Sequence, residues 1–428
     1  MMDGISMNKI KHHDLFVIIR PGLGTLHAVD TLDISGEDDL TFHLGNRFTI
    51  QSVEQDGGYL DWDVEERGKL YTKYRVQNWD PDSGGVMIKW VGVVRSFEGY
   101  KVSIISSELV ELSGFCGWFP TLESQSQFES FTYDLVIDIP KDWTVVTPGE
   151  DKNEDERIRR YHYDRPIEDI FICASPKFEL IQEDVCDIPL KLYLSDDFTH
   201  AKEELMDDFV SSVRLITEMF GGLEEENGGT AIVSPRGKEG AEWGFERDGL
   251  WVVGQSFCEY LIENDWKVGD LPKSLSLHET IHGWFGIGVD FEEPWLAEAI
   301  TQYLEVVLTS MMYDDPDIVD SYFEQYHQRV LDHMEGEDRP IHEYTFLDDM
   351  YVPWYLKGSW AFWDLEFKVG REEIMLLLKN IYTDHLGRTL SYDDFLEIVA
   401  ENFGSQEKDV VRHWFEEKGF RPKYRSLE

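Results

Sequence analysis

His278 and His282 stand four residues apart in the stretch SLHETIHGWFG, residues 276–286, with Glu279 directly after the first histidine. On a helix, side chains four apart share a face, so both imidazoles can meet at one point. Zinc takes such nitrogens at about 2.0–2.1 Å. Glu279, beside a ligand, can orient a water molecule and take its proton. Gly286 and Gly288 let the chain leave that helix and turn back. Pro294 suits the first turn of a new one, PWLAEAITQYLEVV, whose early Glu298 can return as third ligand. One such constellation fixes a helix, a turn and a second helix around one point.

The rest of the chain must supply a body for this pair of helices. Residues 1 to about 188 carry short runs of β-branched and aromatic residues, among them TLHAVDTLDI, RFTIQSVEQ, VMIKWVGVV and YDLVIDIP. Several alternate apolar with polar, and turn signals separate them: ISGEDD, QDGG, DPDSGG and PGED. An antiparallel sheet domain is expected over 1–188. A second domain, 189–428, opens with the strand PLKLYL and a helix from about Thr199 to Phe220. The apolar stripe of that helix is Leu205, Phe209, Val213, Ile216 and Phe220, and Gly221-Gly222 stops it. TAIVSP and GLWVVG read as strands, and from Lys273 onward the pattern is helical. Ser391 and Ser405 read as N-caps, Gly404 and Gly419 as stops. The fold class is therefore α+β: a β domain, a small sheet, then a helical lobe.

Acidic residues number 85 against 39 basic ones, for a net charge of -46. A surface of that sign repels phosphate backbones and argues against a nucleic-acid partner. It keeps a chain monodisperse and suits a high-salt environment. No apolar run reaches the roughly 18 residues of a membrane span. The apolar run LFVII near the start is short for a signal peptide, so the cytoplasm is the expected compartment. Cys116, Cys173, Cys186 and Cys258 show no C-x-x-C pairing and are expected as reduced thiols. YDDPDIVD, residues 313–320, lacks the spacing of a calcium loop and reads as a solvated turn. His12, His13, His327 and His333 belong to no motif and are expected at the surface. Glu305 could support the metal ligands from the second helix or sit on an exposed face.

HETIHGWFG followed by PWLAEAITQYLE resembles the M1 family of zinc metallopeptidases, whose hallmark is H-E-x-x-H-x-W-F-G, then W-L-N-E-G-F-A-x-Y-x-E. Trp284, Phe285, Gly286, Trp295, Leu296, Glu298, Tyr303 and Glu305 keep that pattern. WYLKGSWAFWDLEFKVGREEI resembles the family's Y-x-K-G segment and the helix after it. SYDDFLEIVAENFG and VVRHWFEEKGFRP track the end of its catalytic domain, and CGWFP, DIPKDWTVVTPG and ICASPKFEL resemble landmarks of its N-terminal domain. The resemblance spans nearly the whole chain, without the extra C-terminal helical domain of many members.

It implies a saddle-shaped β domain followed by a thermolysin-like catalytic domain. It also implies one zinc ion held by His278, His282 and Glu298, with Glu279 as general base and Tyr355 as donor to the oxyanion. The implied activity is hydrolysis of peptide bonds, most simply removal of amino-terminal residues from short peptides. Two departures stand out. Fifteen residues separate His282 from Glu298, three fewer than in the family, which implies a trimmed loop. Where aminopeptidases of the family carry G-x-M-E-N-W-G, this chain has Gly240-Ala241-Glu242-Trp243-Gly244. Glu242 is the candidate for gripping a substrate's free amino group, but Met and Asn are missing. Internal cleavage, a non-peptide substrate, and a non-catalytic peptide-binding scaffold remain as alternatives. Side-chain preference and oligomeric state are not legible.

Overall fold

The computed structural model of the chain describes residues 8–36, 39–122, 130–152, 157–223, 229–247, 249–336, 338–345 and 348–424. The expected turn ISGEDD includes Glu37 and Asp38, which lie outside the described residues. The chain divides into two compact units. The first holds residues 1–180, 193–199 and 232–256, and the second holds 181–192, 200–231 and 257–428.

The first unit is built of sheets. In the strand Lys9–Arg20 every second side chain turns inward, so Leu15, Val17 and Ile19 are fully buried. A tight turn closed by Gly24, at φ 63°, brings Thr25–Ser35 back antiparallel to it. Eight strands form the largest sheet, in the order Glu150–Asp151, Ile158–Ile167, Phe131–Asp138, Lys9–Arg20, Thr25–Ser35, Val86–Val93, Phe48–Gln55 and Gly58–Leu60. The sheet is antiparallel as expected, apart from the parallel pair Lys9–Arg20 with Phe131–Asp138. After Val93 the chain leaves this sheet and returns as Phe131–Asp138 on the other side of its first strand, and that long crossover permits a parallel neighbour. Trp90 and Trp118 are buried in the core, and each indole N–H donates to a backbone carbonyl, of Trp118 and Ile170 at 2.9 Å.

His13 corrects an expectation: it is not at the surface. It shares the inward phase of Leu15 and Val17, is fully buried, and its Nδ1 lies 2.6 Å from Asp30 Oδ2. Period-two alternation placed it inside, and Asp30 satisfies it there. His12, His327 and His333 are half-buried. None of the four cysteines forms a disulfide.

Helices carry most of the second unit: α1 (Lys202–Phe220), α2 (Gln255–Glu263), α3 (Leu277–His282), α4 (Pro294–Met312), α5 (Asp317–Gly336), α6 (Gly358–Val369), α7 (Arg371–His385), α8 (Tyr392–Phe403) and α9 (Ser405–Glu416). The expected stripe of α1 is buried, and Gly221, at φ 102°, ends the helix. Ser391 caps α8, its Oγ accepting from Asp394 N at 3.2 Å. Ser405 does not cap α9. It is the first helical residue, because Gly404 at φ 112° alone separates α8 from α9 and serves both ends. Gly419 lies beyond the last turn of α9 at φ 96°. The helix α4 is buried on almost every side, the pattern of a central helix.

Candidate metal centre

Four contacts place α3. Ser276 N donates to Asp208 Oδ2 of α1 at 3.0 Å, and Leu277 N donates to Ser274 Oγ at 3.1 Å. After His282 the buried Trp284 donates its indole N–H to Gly221 O at 2.9 Å, and the buried Phe285 meets Phe220 edge-on at 5.2 Å. Gly288 is required by space: a Cβ there would stand 2.8 Å from the Tyr382 ring and 2.9 Å from Gly283 O. The connecting segment then forms a short strand, Val289–Phe291, parallel to Arg388–Leu390. Gly387 N donates to Gly288 O at 2.7 Å, and Tyr392 N donates to the Glu293 carboxylate at 2.8 Å. Pro294 opens α4 as expected.

This path brings Glu298 back to the histidines. Glu298 Oε2 lies 3.5 Å from His278 Nε2 and 3.3 Å from His282 Nε2. All three ligand atoms fall within 4.8 Å of one another. The opposite ring nitrogens are occupied: His278 Nδ1 faces Glu305 Oε2 at 3.2 Å and His282 Nδ1 faces Phe285 O at 3.2 Å. An Nδ1–H held by an acceptor leaves the Nε2 lone pair free for a metal. Glu298 Oε2 is buried and makes no hydrogen bond, a costly state unless a cation lies against it. Two imidazoles and one carboxylate that converge in this way fit zinc with an open fourth position. Among the described residues no other group of three potential ligands converges. The turn at 313–320 stays a turn, with Asp315 Oδ1 accepting from Asp317 N at 3.0 Å.

Around these ligands lie groups that act on protons. Glu279 is half-buried, and burial raises its carboxyl pKa above the usual value against the pull of both histidines. Burial disfavours charge on His278 too, but the nearby Glu298 and Glu305 carboxylates outweigh it and push the ring up to about 10. Glu305 is buried on α4, two turns beyond Glu298, and supports His278 rather than facing solvent. Lys273 bonds its other oxygen, and Gln302 Nε2 donates to Oε2 at 2.7 Å. Lys273 lies outside the helices and carries no signal in the sequence, whereas Gln302, four residues after Glu298 and three before Glu305 on α4, could have been found from helical spacing.

Tyr355 sits on a π-helical turn, Tyr351–Lys357. Pro353 inside it has no N–H and its ring crowds the preceding turn, which widens the helix. The Tyr355 ring stacks on His278 at 5.5 Å and 16°, so it faces the ligands and not the buried Trp354 and Trp360. Burial, then the Glu298 and Glu279 carboxylates, push its phenol well above the usual value. Glu242 belongs to the other unit. It is exposed in the first unit, whereas the other candidates lie in the second. Its neighbours are held: Arg236 Nη1 donates to Ala241 O at 3.0 Å and Trp243 O at 3.3 Å.

A β-rich N-terminal portion, a helical lobe and a converging His-His-Glu set are the features to compare with known proteins. Residues 271–414 match the model of the Peptidase family M1 domain. Solved structures share its fold. An M1 zinc metallopeptidase from Deinococcus radiodurans superposes with a TM-score of 0.69 at 17% identity, over 98% of this chain and 96% of that one. A mutant of that protein bound to a Tyr-ser-ala substrate gives 0.69 at 16% identity, over 98% and 96%. Native yeast LTA4 hydrolase gives 0.74 at 17% identity, over 97% of this chain and 69% of that one. No helix among the described residues is long and apolar enough to cross a membrane.

Proposed function

We propose that the chain is a zinc-dependent peptidase that removes amino-terminal residues from short peptides. The observation that carries this reading is the convergence of His278 Nε2, His282 Nε2 and Glu298 Oε2 within 4.8 Å, beside Glu279 and under the Tyr355 ring. His278, His282 and Glu298 would hold one zinc ion, which when bound supplies a Lewis acid for a carbonyl and lowers the pKa of water. Glu279 takes the proton of the attacking water and later hands it to the leaving amine. Its raised pKa brings it closer to neutral pH, where a base and an acid are both useful. Tyr355 keeps its proton at neutral pH, so its hydroxyl can donate to the oxygen on which charge develops. Glu242 would pair with the substrate's ammonium group.

The test uses zinc-loaded protein and short fluorogenic peptides, each with a free and an acetylated amino terminus, beside the Glu279→Gln variant. Cleavage of free peptides alone, with the variant at least about 10³-fold slower, supports the reading. Equal cleavage of acetylated peptides removes the exopeptidase part. A second reading, internal cleavage or hydrolysis of a non-peptide substrate, is favoured by the absence of Met and Asn around the exposed Glu242. The likeness to a protein named LTA4 hydrolase points the same way.

A further inference from the structure

The chemistry above gives no task to the groups on the outer side of Tyr355. The Tyr355 ring also contacts Tyr351, 5.2 Å between centroids at 36°, and the Arg329 guanidinium lies over Tyr351 with Cζ 5.0 Å from its centroid. Tyr351 is 41% exposed and Arg329, on α5, is exposed too. A ladder of Arg329, Tyr351, Tyr355 and His278 therefore runs from solvent to the ligand atoms.

The charge of Arg329 is unspent. Among the described residues it makes no ion pair and no hydrogen bond, and its guanidinium lies over the Tyr351 ring. The other bases of this neighbourhood are committed: Lys273 to Glu305, Lys357 to Glu417 O at 3.2 Å, and Arg339 to Asp348 at 2.9 Å. A chain with 85 acidic and 39 basic residues offers carboxylates freely, so a guanidinium left without one beside a candidate active site calls for an acid from outside. Stacking on a ring holds the guanidinium plane while its N–H edges stay open for a bidentate partner. The acidic surface elsewhere repels a carboxylate-bearing peptide, which sharpens the preference for this spot.

We infer that Arg329, seated on Tyr351, is a subsite for a carboxylate of the peptide substrate. The inference deepens the peptidase reading and rests on it. The two ring contacts, 5.2 and 5.0 Å, span at most about 10 Å from Tyr355, or roughly three residues of extended chain. A peptide of three or four residues would thus bring its carboxyl terminus, or an acidic side chain near it, to the guanidinium.

The test measures KM for three tripeptides on zinc-loaded protein: a free carboxyl terminus, the same peptide as its amide, and an amide ending in glutamate. The wild type is expected to favour the free acid over the plain amide about tenfold. In Arg329→Gln that ratio falls toward one, and Arg329→Lys restores part of it. Recovery of affinity in the glutamate amide assigns the site to a side chain, and no recovery assigns it to the terminus. Arg329 is exposed, so the variants are expected to fold, and a melting curve checks this. Equal KM for acid and amide in the wild type, or a ratio unmoved in Arg329→Gln, overturns the inference. If no peptide is cleaved the peptidase reading fails, and calorimetric Kd values for the same peptides then decide the subsite alone: equal values overturn it.

Discussion

Glu305 decides which nitrogen of His278 faces inward. Its Oε2 lies 3.2 Å from Nδ1, while Lys273 and Gln302 hold the carboxylate in place. Removing it frees the ring to turn and lowers its basicity. Glu305→Ala is expected to weaken zinc binding about 10–100-fold in chelator competition, and Lys273→Met to shift it less in the same direction. Zinc affinity equal to the wild type in both would show that the ligands hold their pose unaided. The spacing of His278, Glu279, His282 and Glu298 was legible in the sequence, and Tyr355 came only from the family resemblance; the structure gathers the three candidate ligands and stacks the Tyr355 ring on His278. Lys273 was not legible, because it lies outside the helices and its partner stands thirty-two residues away on α4. His13 was misplaced at the surface although its alternation with Leu15 and Val17 pointed inward; the pairing that makes burial tolerable, Asp30, lies on the next strand.

At the scale of elements, the π-helical turn at 351–357 presents Tyr355 to the ligands and buries Lys357. Tyr355→Phe keeps the ring stack and removes the donor, so kcat is expected to fall about 10²-fold with KM nearly constant. A parallel loss of zinc would mean that the ring, not the hydroxyl, is what counts. Burial lowers the Lys357 pKa to about 8, with Asp338 opposing. Between pH 8 and the ordinary lysine value the unfolded chain binds the extra proton, so this group makes stability rise with pH through that window. Lys357→Met escapes the cost of burying the charge. Its stability relative to wild type is expected to be greatest below pH 8 and to shrink by on the order of 3 kcal/mol toward pH 10.5 in urea melts. Helix α1 and the Ser391 cap were readable from stripe and cap residues. The π-turn was not, since Pro353 alone signals disruption without saying which kind. Nor was the pairing of Val289–Phe291 with Arg388–Leu390, which joins segments nearly a hundred residues apart.

For the whole molecule the net charge of -46 sets the terms. Like charges spread over one chain repel in the folded state more than in the expanded one, and salt shortens their reach from about 30 Å at 0.01 M to 3 Å at 1 M. The melting temperature is expected to rise by about 5 °C or more over that range of potassium chloride. A flat curve would sink the idea that the composition answers to salt. The pairing just described has a further reach. The span from Gly286 to Glu293, which carries the chain from one set of ligands to the next, is fastened by Gly387, Leu390 and Tyr392. A ribosome delivers His278, His282 and Glu298 about ninety residues before those fasteners. During synthesis the three ligands therefore exist in the chain before the path between them is fixed, and the centre is timed to close only as the final helices emerge.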